Sequence, residues 1–207
     1  MYFEPGGIYH IYNQGNNRQL LFYNYENYKF FAKKIRTHIL PFADILAWCL
    51  MPNHFHLMVE VRDAGSEGFT LSEALTSAES ATGQANAETS LNYSIGVLLR
   101  SYTRAINIQE NSSGSLFRKK TKAICLNEIK GISSHWYTSF GVTFMKVDIP
   151  EYQYPQVCFN YIHANPVRAG LVKRAEDWKF SSYIDLVGMR AGSLVNRKRV
   201  EELGLIV

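Results

Sequence analysis

The stretch Ile45-Leu46-Ala47-Trp48-Cys49-Leu50-Met51-Pro52-Asn53-His54-Phe55-His56-Leu57-Met58-Val59-Glu60-Val61 decides the fold of this chain. Its two apolar segments are separated only by Pro52-Asn53, which is a compact hairpin connection. Side chains of a β-strand point alternately to the two faces of a sheet, so His54 and His56 share one face and Phe55 lies on the other. Two imidazoles on one face can bind one metal ion, although the same pattern also suits polar positions on the solvated face of a half-buried strand.

The segment before this hairpin predicts a strand and then a helix. Residues 7–13 alternate as a short strand and end in the turn-forming run 13–17. Asn24 or Asn27 can cap the helix that follows, because a side-chain oxygen at that position accepts hydrogen bonds from the first free backbone N–H groups.

The segments after the hairpin complete the predicted order of elements. Apolar residues at helical spacing predict a helix over about 93–108, and residues 115–126 alternate as a strand. Residues 156–164 have helical character until Pro166 interrupts it. The order strand, helix, strand, strand, helix, strand, followed by a further helix, is typical of an α+β protein with a ferredoxin-like or RRM-like antiparallel sheet and helices packed on one face.

The composition predicts one domain with two additions. The chain has 207 residues and 46% hydrophobic content, which suits a single domain over residues 1–186. Residues 62–92 are rich in Ala, Ser, Thr, Gly and Glu, which predicts a low-complexity acidic insertion. Residues 187–207 are interpreted as a basic C-terminal tail.

Cysteine usage and hydropathy favour a cytoplasmic location. Cys49, Cys125 and Cys158 are odd in number, far apart and next to apolar residues, so we expect free thiols in a reducing compartment and no zinc site built from them. No apolar stretch approaches the ~20 residues that cross a bilayer, and the start of the chain lacks a signal-peptide core. We therefore expect no membrane association.

The positive charge is unevenly distributed along the chain. The formal net charge is +4, yet residues 63–99 contain no Lys or Arg. Basic residues cluster among aromatic ones further on; they include Arg100, Arg104, Arg118, Lys119, Lys120 and Lys122. Such clusters attract a phosphate backbone with stackable bases, and a solvated basic face is the alternative.

A metal ion held by two imidazoles alone is weakly bound, so we expect a third protein ligand from another element. Tyr161 and Asn165 are four residues apart in a predicted helix and lie on the same face, where they present a phenol and an amide oxygen together. His163 points to roughly the opposite side and is interpreted as a packing or surface residue.

The same four-residue spacing occurs elsewhere among the 13 tyrosines. Tyr152 with Gln156, and Tyr23 with Asn27, have this relation too. Spacing alone therefore leaves Tyr161 as one candidate of several.

Several blocks of the chain resemble sequence motifs of a known protein family. They are residues 9–18 (YHIYNQGNNR), 47–57 (AWCLMPNHFHL), 114–118 (GSLFR), 161–172 (YIHANPVRAGLV) and 178–183 (WKFSSY). In this order they resemble the REP-associated tyrosine transposases, which are single-tyrosine transposases of the HUH single-strand endonuclease superfamily. The blocks around Pro52 to His56 and Asn165 to Gly170 are specific when found together.

The resemblance implies a role for each matching residue. It makes His54 and His56 metal ligands, Asn165 the third ligand and Tyr161 the nucleophile, with Mg²⁺ or Mn²⁺ as the cofactor. The nucleic-acid-binding residues that we predict are Arg18, Arg104, Arg118, Lys119, Lys120, Lys122 and Arg168. After Phe117 the family tends to show a Gln and a well-placed Arg, whereas this chain has an uninterrupted basic run, so its details of DNA contact differ.

The implied activity is a metal-dependent endonuclease and DNA strand transferase of transposition and recombination. It cleaves and rejoins single-stranded or hairpin DNA through a 5′-phosphotyrosine intermediate. We expect a nucleoid-associated protein, and a monomer is favoured over a dimer. Two alternatives stay open: a non-catalytic nucleic-acid-binding module on the same sheet, and a metal-dependent hydrolase that activates water and forms no protein-linked strand.

Overall fold

The computed structural model describes residues 2–62, 90–127, 136–139, 142–145 and 154–207, and for 136–139 and 142–145 the backbone only. Most of the predicted acidic insertion, 63–89, lies outside the described residues, as does Tyr152. The part of the chain that the structure describes contains no helix long and apolar enough to cross a membrane.

A four-stranded antiparallel sheet forms the centre of the molecule. Its strands are β1 (Ile8–Gln14), β2 (Ala43–Met51), β3 (His54–Val61) and β4 (Lys122–Cys125), in the spatial order β2-β3-β1-β4. Strands β5 (Trp136–Ser139) and β6 (Val142–Met145) form a separate antiparallel pair. The α+β class and the antiparallel sheet are therefore confirmed.

Five α-helices accompany the sheet in the described residues. They are α1 (Tyr25–His38), α2 (Leu91–Gln109), α3 (Tyr154–Arg168), α4 (Tyr183–Leu186) and α5 (Arg197–Glu202). Helix α1 begins where the sequence predicts, because Asn24 accepts a hydrogen bond from the backbone of Asn27 and the Asn27 side chain accepts one from the backbone of Asn24. Ser90 caps α2 in a similar way by accepting from the backbone of Tyr93.

Helices α1 and α2 pack on one face of the sheet. The core between them contains Phe31 and Ile35 of α1, Tyr102 of α2, and Phe55 and Leu57 of β3. This layer of two helices agrees with the prediction of helices packed on one face of the sheet.

The opposite face of the sheet carries a second, smaller core. Helix α3 contributes Phe159 and Ile162, which pack with Met58 of β3. The segment predicted to be a basic tail contributes Val195, Val200 and Leu205 to this second core, and Leu194 to the core under α1 and α2. Residues 187–207 thus pack as part of the folded body, and α3 lies on the second face of the sheet, whereas the sequence predicted helices on one face.

Two elements differ from their predicted extent. The strand predicted over 115–126 is short, because only Lys122–Cys125 pairs continuously with β1, and Phe117 makes an isolated bridge to Gly15. The helix that Pro166 was expected to interrupt continues to Arg168. Pro166 lies in the last turn, where the missing N–H costs a single hydrogen bond, and Gly170, at a φ of 69°, follows it.

Candidate functional site

The β2–β3 hairpin presents two histidines to the face of the sheet that α3 covers. His54 is the first residue of β3 and His56 the third, while Phe55 between them packs in the core under α1 and α2. The register places His56 opposite Cys49 of β2 and Tyr12 of β1. Alternation along the strand therefore produces the shared histidine face that the sequence predicts.

His54 is held from two sides. Its Nδ1 atom lies 2.7 Å from Oδ1 of Asn53, the preceding residue. Burial lowers the pKa of His54, and a hydrogen bond with the side chain of Asn165 on α3 acts in the opposite direction. That contact brings two of the three predicted metal ligands together.

His56 is a neutral imidazole enclosed by the site. It is 4% exposed, and its Nδ1 atom lies 2.9 Å from Nε2 of His10 on β1. Burial, with smaller contributions from His10 and His54, lowers the pKa of His56 to about 2. A neutral imidazole offers one nitrogen lone pair, and this is the form that binds a metal ion.

Helix α3 brings Tyr161 and Asn165 over these histidines. The ring centre of Tyr161 lies 5.4 Å from that of His56 and 6.1 Å from that of His10, edge to face in both cases. Asn165 donates its amide N–H to the backbone oxygen of Tyr161 over 2.8 Å, which fixes the orientation of its amide group. Tyr161 is 37% exposed, so a ligand can reach its side chain from solvent.

The donor atoms of this site suit a divalent cation. Within the described ranges, no three His, Cys, Asp or Glu side chains form a group that could hold a metal ion, so a site here consists of two imidazoles and an amide oxygen. The Nε2 atom of His56 is buried and makes no hydrogen bond within the described structure. A buried polar atom without a partner is costly, and a coordinated cation would satisfy it. His54, His56 and Asn165 therefore fit a metal ion.

A buried hydrogen-bond network attaches α3 to the sheet. His163 Nε2 lies 2.8 Å from the Ser182 hydroxyl, and that hydroxyl also accepts the backbone N–H of Trp48 on β2 over 2.9 Å. His163 packs edge to face against Phe159 and Tyr183. It thus points away from the histidine pair, as the helical spacing predicts, and holds the helix that carries Tyr161.

The structure separates the predicted nucleic-acid-binding residues into two groups. Arg168 lies at the site, with its guanidinium carbon 5.5 Å from the centre of the Tyr161 ring. Arg18 is close to the histidine end of the hairpin, because its backbone oxygen accepts a hydrogen bond from Asn53 over 3.4 Å. Arg104, Arg118, Lys119, Lys120 and Lys122 lie further away, around α2 and β4.

This second group lines two adjoining grooves. The larger groove, of about 1030 Å³, lies between α2 and the segment 115–121; its basic lining residues are Arg100, Arg104, Arg118 and Lys119. The smaller groove, of about 520 Å³, is lined by Lys119, Lys120 and Lys122. Asn13 of β1 lines the larger groove, whereas its neighbour Tyr12 is on the histidine face. The large groove and the histidines therefore lie on opposite faces of the sheet, joined around the β4 edge.

Two residues of the site have no predicted role. His10 contacts His56 directly, and Tyr12 stacks on His10 with ring centres 4.7 Å apart. Both belong to a strand whose alternating pattern the sequence predicts, but their neighbours depend on the register between β1 and β3.

The competing pair of Tyr23 and Asn27 has another explanation, because the Asn27 amide oxygen accepts the backbone N–H of Tyr23 at the start of α1.

Comparisons with other proteins give information about the fold of the chain. Comparison with protein families and with curated proteins gives no match. Among solved structures, the chain is similar to the REP-associated tyrosine transposase bound to a REP hairpin, with a TM-score of 0.54 and 18% sequence identity. The similarity covers 95% of this chain and 92% of that one, so the two proteins share an α+β fold over nearly their whole length.

Proposed function

We propose that this protein is a metal-dependent single-stranded DNA endonuclease and transposase. It cleaves and rejoins DNA at hairpin-associated sites through a 5′-phosphotyrosine intermediate. The observation that carries the proposal is the position of Tyr161, whose ring lies 5.4 Å from that of His56 and on the same helix as Asn165. The solved protein of similar fold is bound to a REP hairpin, which supports hairpin DNA as the substrate class.

His54, His56 and Asn165 are the residues that would hold Mg²⁺ or Mn²⁺. Such an ion, when bound, polarises the scissile phosphodiester as a Lewis acid. The imidazoles are neutral, since burial lowers the pKa of both, and the amide is neutral too, so the site keeps the full charge of the cation for the phosphate. A divalent cation and a neutral donor set together attract an anionic substrate.

Tyr161 is the nucleophile in this proposal. Its phenolic oxygen attacks phosphorus, the bond from phosphorus to the 3′ oxygen breaks, and the DNA remains attached through a 5′-phosphotyrosine. The phenolic proton passes to solvent, to which the half-exposed side chain is open, and the departing 3′ oxygen takes up a proton. Attack by a 3′ hydroxyl on the phosphotyrosine reverses these steps and rejoins the strand.

The basic residues bind the phosphate backbone on both sides of the reaction. Arg168 lies beside Tyr161, where its guanidinium can bind the phosphate that reacts. The grooves lined by Arg104, Arg118 and Lys119 hold DNA further from the cut. A strand that reaches both places passes over the β4 edge, where Lys122 is exposed.

The decisive experiment looks for a protein–DNA adduct. The full chain is incubated with 5′- or 3′-labelled hairpin DNA that carries a single-stranded flank, in Mn²⁺, and resolved on a denaturing gel. We expect an adduct that carries the label of the DNA on the 3′ side of the cut. Chelation of the metal should abolish this adduct, and so should Tyr161→Phe. Tyr154→Phe is the matched control, because Tyr154 is also an exposed tyrosine of α3 but is the first residue of the helix, two turns before Tyr161.

The alternatives give different results. Hairpin binding without an adduct, in wild type and Tyr161→Phe alike, indicates a non-catalytic nucleic-acid-binding protein. Metal-dependent cleavage that releases free products and survives Tyr161→Phe indicates a hydrolase that activates water. An adduct that persists in Tyr161→Phe places the nucleophile on another tyrosine.

A further inference from the structure

His10 occupies the position behind His56, on the neighbouring strand. The register sets His10 of β1 opposite Met58, so His56 is its diagonal neighbour on the same face. The ring centres lie 5.1 Å apart with the ring planes inclined by 26°, and His10 Nε2 lies 2.9 Å from His56 Nδ1. Both residues are buried, at 8% and 4% exposure.

This contact is compatible with two tautomers of His56, and they differ in whether Nε2 carries a hydrogen. A hydrogen bond between two neutral imidazoles contains one hydrogen, carried either by His56 Nδ1 or by His10 Nε2. In the second case His56 carries its own hydrogen on Nε2, the buried atom that makes no hydrogen bond in the described structure. In the first case Nε2 has a free lone pair, as a metal ligand requires.

His54 shows the same arrangement with a different partner. Its Nδ1 atom faces the amide oxygen of Asn53 over 2.7 Å, and an amide oxygen can only accept. When His54 donates to Asn53 from Nδ1, its lone pair is on Nε2 and is available to a metal ion. Both histidines of the hairpin thus have a polar partner at Nδ1, which is the Asn53 amide oxygen for His54 and His10 Nε2 for His56.

We propose that His10 is a positioning residue that holds His56 in the Nδ1-protonated, metal-binding form. The proposal rests on the metal site of the proposed function. His10 accepts the Nδ1 hydrogen of His56 through Nε2 and thereby fixes both the tautomer and the plane of the ligand ring. Stacking by Tyr12 at 4.7 Å, and the edge contact with Tyr161 at 6.1 Å, hold the His10 ring itself in place.

Two substitutions at His10 separate its hydrogen bond from its bulk. His10→Phe keeps an aromatic ring but removes the acceptor, whereas His10→Gln places an amide group where Nε2 stands and can accept from His56. Mn²⁺ affinity of the DNA-free protein is measured by isothermal titration calorimetry. We expect about 10- to 100-fold weaker binding for His10→Phe and an affinity within about 3-fold of wild type for His10→Gln. His38→Phe on α1, away from the site, is the control.

A spectroscopic readout tests the tautomer without metal or DNA. Imidazole ¹⁵N–¹H spectra of histidine-labelled protein assign the protonated nitrogen of His56, which we expect to be Nδ1 in wild type and in His10→Gln. In His10→Phe we expect loss of that preference. A protein that merely unfolds loses the whole spectrum, whereas the proposal requires a change confined to His56 and its neighbours.

The outcomes distinguish this proposal from the proposed function. Wild-type His56 protonated on Nε2, or His10→Phe with wild-type Mn²⁺ affinity, overturns the role of His10. A wild-type protein that binds no Mn²⁺ overturns both the metal site and the role of His10 towards it. A protein that binds Mn²⁺ with the expected His10 dependence, but forms no DNA adduct, supports the positioning role and contradicts the proposed function alone.

Discussion

The guanidinium of Arg168 lies over the ring of Tyr161, with 5.5 Å between its central carbon and the ring centre. The two residues are seven positions apart on α3, which is two helical turns, so they share a face of the helix. This geometry places five N–H donors next to the proposed nucleophile, in a fork that matches the oxygens of a phosphate. Arg168 is therefore suited to bind the reacting phosphate itself.

We expect Arg168→Ala to lower the rate of adduct formation about ten-fold or more at saturating DNA, because a fixed cation beside the reacting phosphate stabilises charge in the transition state. Arg168→Lys keeps the charge without the fork and should recover part of the rate. Single-turnover kinetics with labelled hairpin DNA measure both. Arg174→Ala, which changes an exposed arginine paired with Asp177, is the control, and an unchanged rate in Arg168→Ala contradicts the assignment.

The Ser182 hydroxyl links α3 to β2, and its removal should destabilise the protein. In Ser182→Ala the buried Nε2 of His163 and the backbone N–H of Trp48 both lose their partner. We expect the free energy of unfolding to fall by about 1–3 kcal/mol, measured by urea denaturation. Ser113→Ala, at an exposed position, should change it little. Equal stability of both variants would show that the network contributes nothing to attachment of the helix.

Local patterns were enough to predict the hairpin and the first two long helices. The period-two alternation around His54 and His56 and the capping residue Asn24 each depend on neighbours in sequence, and both features are found in the structure. The helix through Tyr161 was recognised as well, but not its length. A proline in the last turn of a helix removes only one hydrogen bond. The prediction that Pro166 interrupts the helix therefore placed the end of the helix too early.

Contacts between distant segments could not be predicted from the sequence. His10 reaches His56 only because β1 lies beside β3 in one register, and a shift of one residue would move His10 to the other face. The basic residues were assigned to one function as a group, yet the fold places Arg168 beside Tyr161 and Arg104 in a groove across the sheet. The sequence positions of these residues do not indicate which face of the sheet each one occupies.

Acid should destabilise the attachment of the C-terminal segment to β2 through Asp44. Burial alone would raise the pKa of this carboxyl, but hydrogen bonds from Arg62 and Asn196, with the nearby charge of Arg199, lower it below its usual value. A carboxyl with a lowered pKa in the folded state contributes stability above its unfolded pKa of about 3.9, and this stability is lost as the pH falls through the folded value.

We therefore expect Asp44→Asn to lower the free energy of unfolding at pH 7 by about 1–3 kcal/mol, through weaker hydrogen bonds to two half-buried partners, Arg62 and Asn196. The difference between wild type and variant should shrink as the pH falls below about 4. Urea denaturation at several pH values measures it. Glu26→Gln, which removes an exposed ion pair with Lys29, should show little difference at any pH. A pH-independent difference for Asp44→Asn contradicts the ionic contribution.

The groove lined by Arg104 and Arg118 should contribute to DNA affinity through phosphate contacts. Each phosphate contact adds about 0.7 to 0.9 to the slope of log affinity against log salt. We expect Arg104→Ala and Arg118→Ala each to reduce the slope by about this amount, measured by fluorescence anisotropy with hairpin DNA. Lys198→Ala is the charge-matched control on α5, which packs beside β2 at the other edge of the sheet. An unchanged slope in both groove variants would exclude the groove from the DNA path.

Tyr12 should bind an unpaired base next to the cut. The register places Cys49, His56, Tyr12 and Lys122 in one row across the sheet, so the half-exposed Tyr12 ring lies between the proposed metal ligand and the exposed edge cation. An aromatic ring stacks on any base and contributes about 1–3 kcal/mol per base. A strand that crosses the β4 edge towards Tyr161 passes over this ring.

We expect Tyr12→Ala to weaken binding of the single-stranded flank about ten-fold, with Tyr12→Trp close to wild type, because stacking requires a ring but no hydroxyl. Binding is measured in EDTA, since Tyr12 also stacks on His10 and its loss could otherwise act through the metal site. A blunt hairpin without the flank should bind wild type and Tyr12→Ala equally. Tyr2→Ala, at an exposed tyrosine near the N-terminus, is the control for loss of a surface ring. If Tyr12→Ala binds the flank as tightly as wild type does, the strand follows another path to Tyr161.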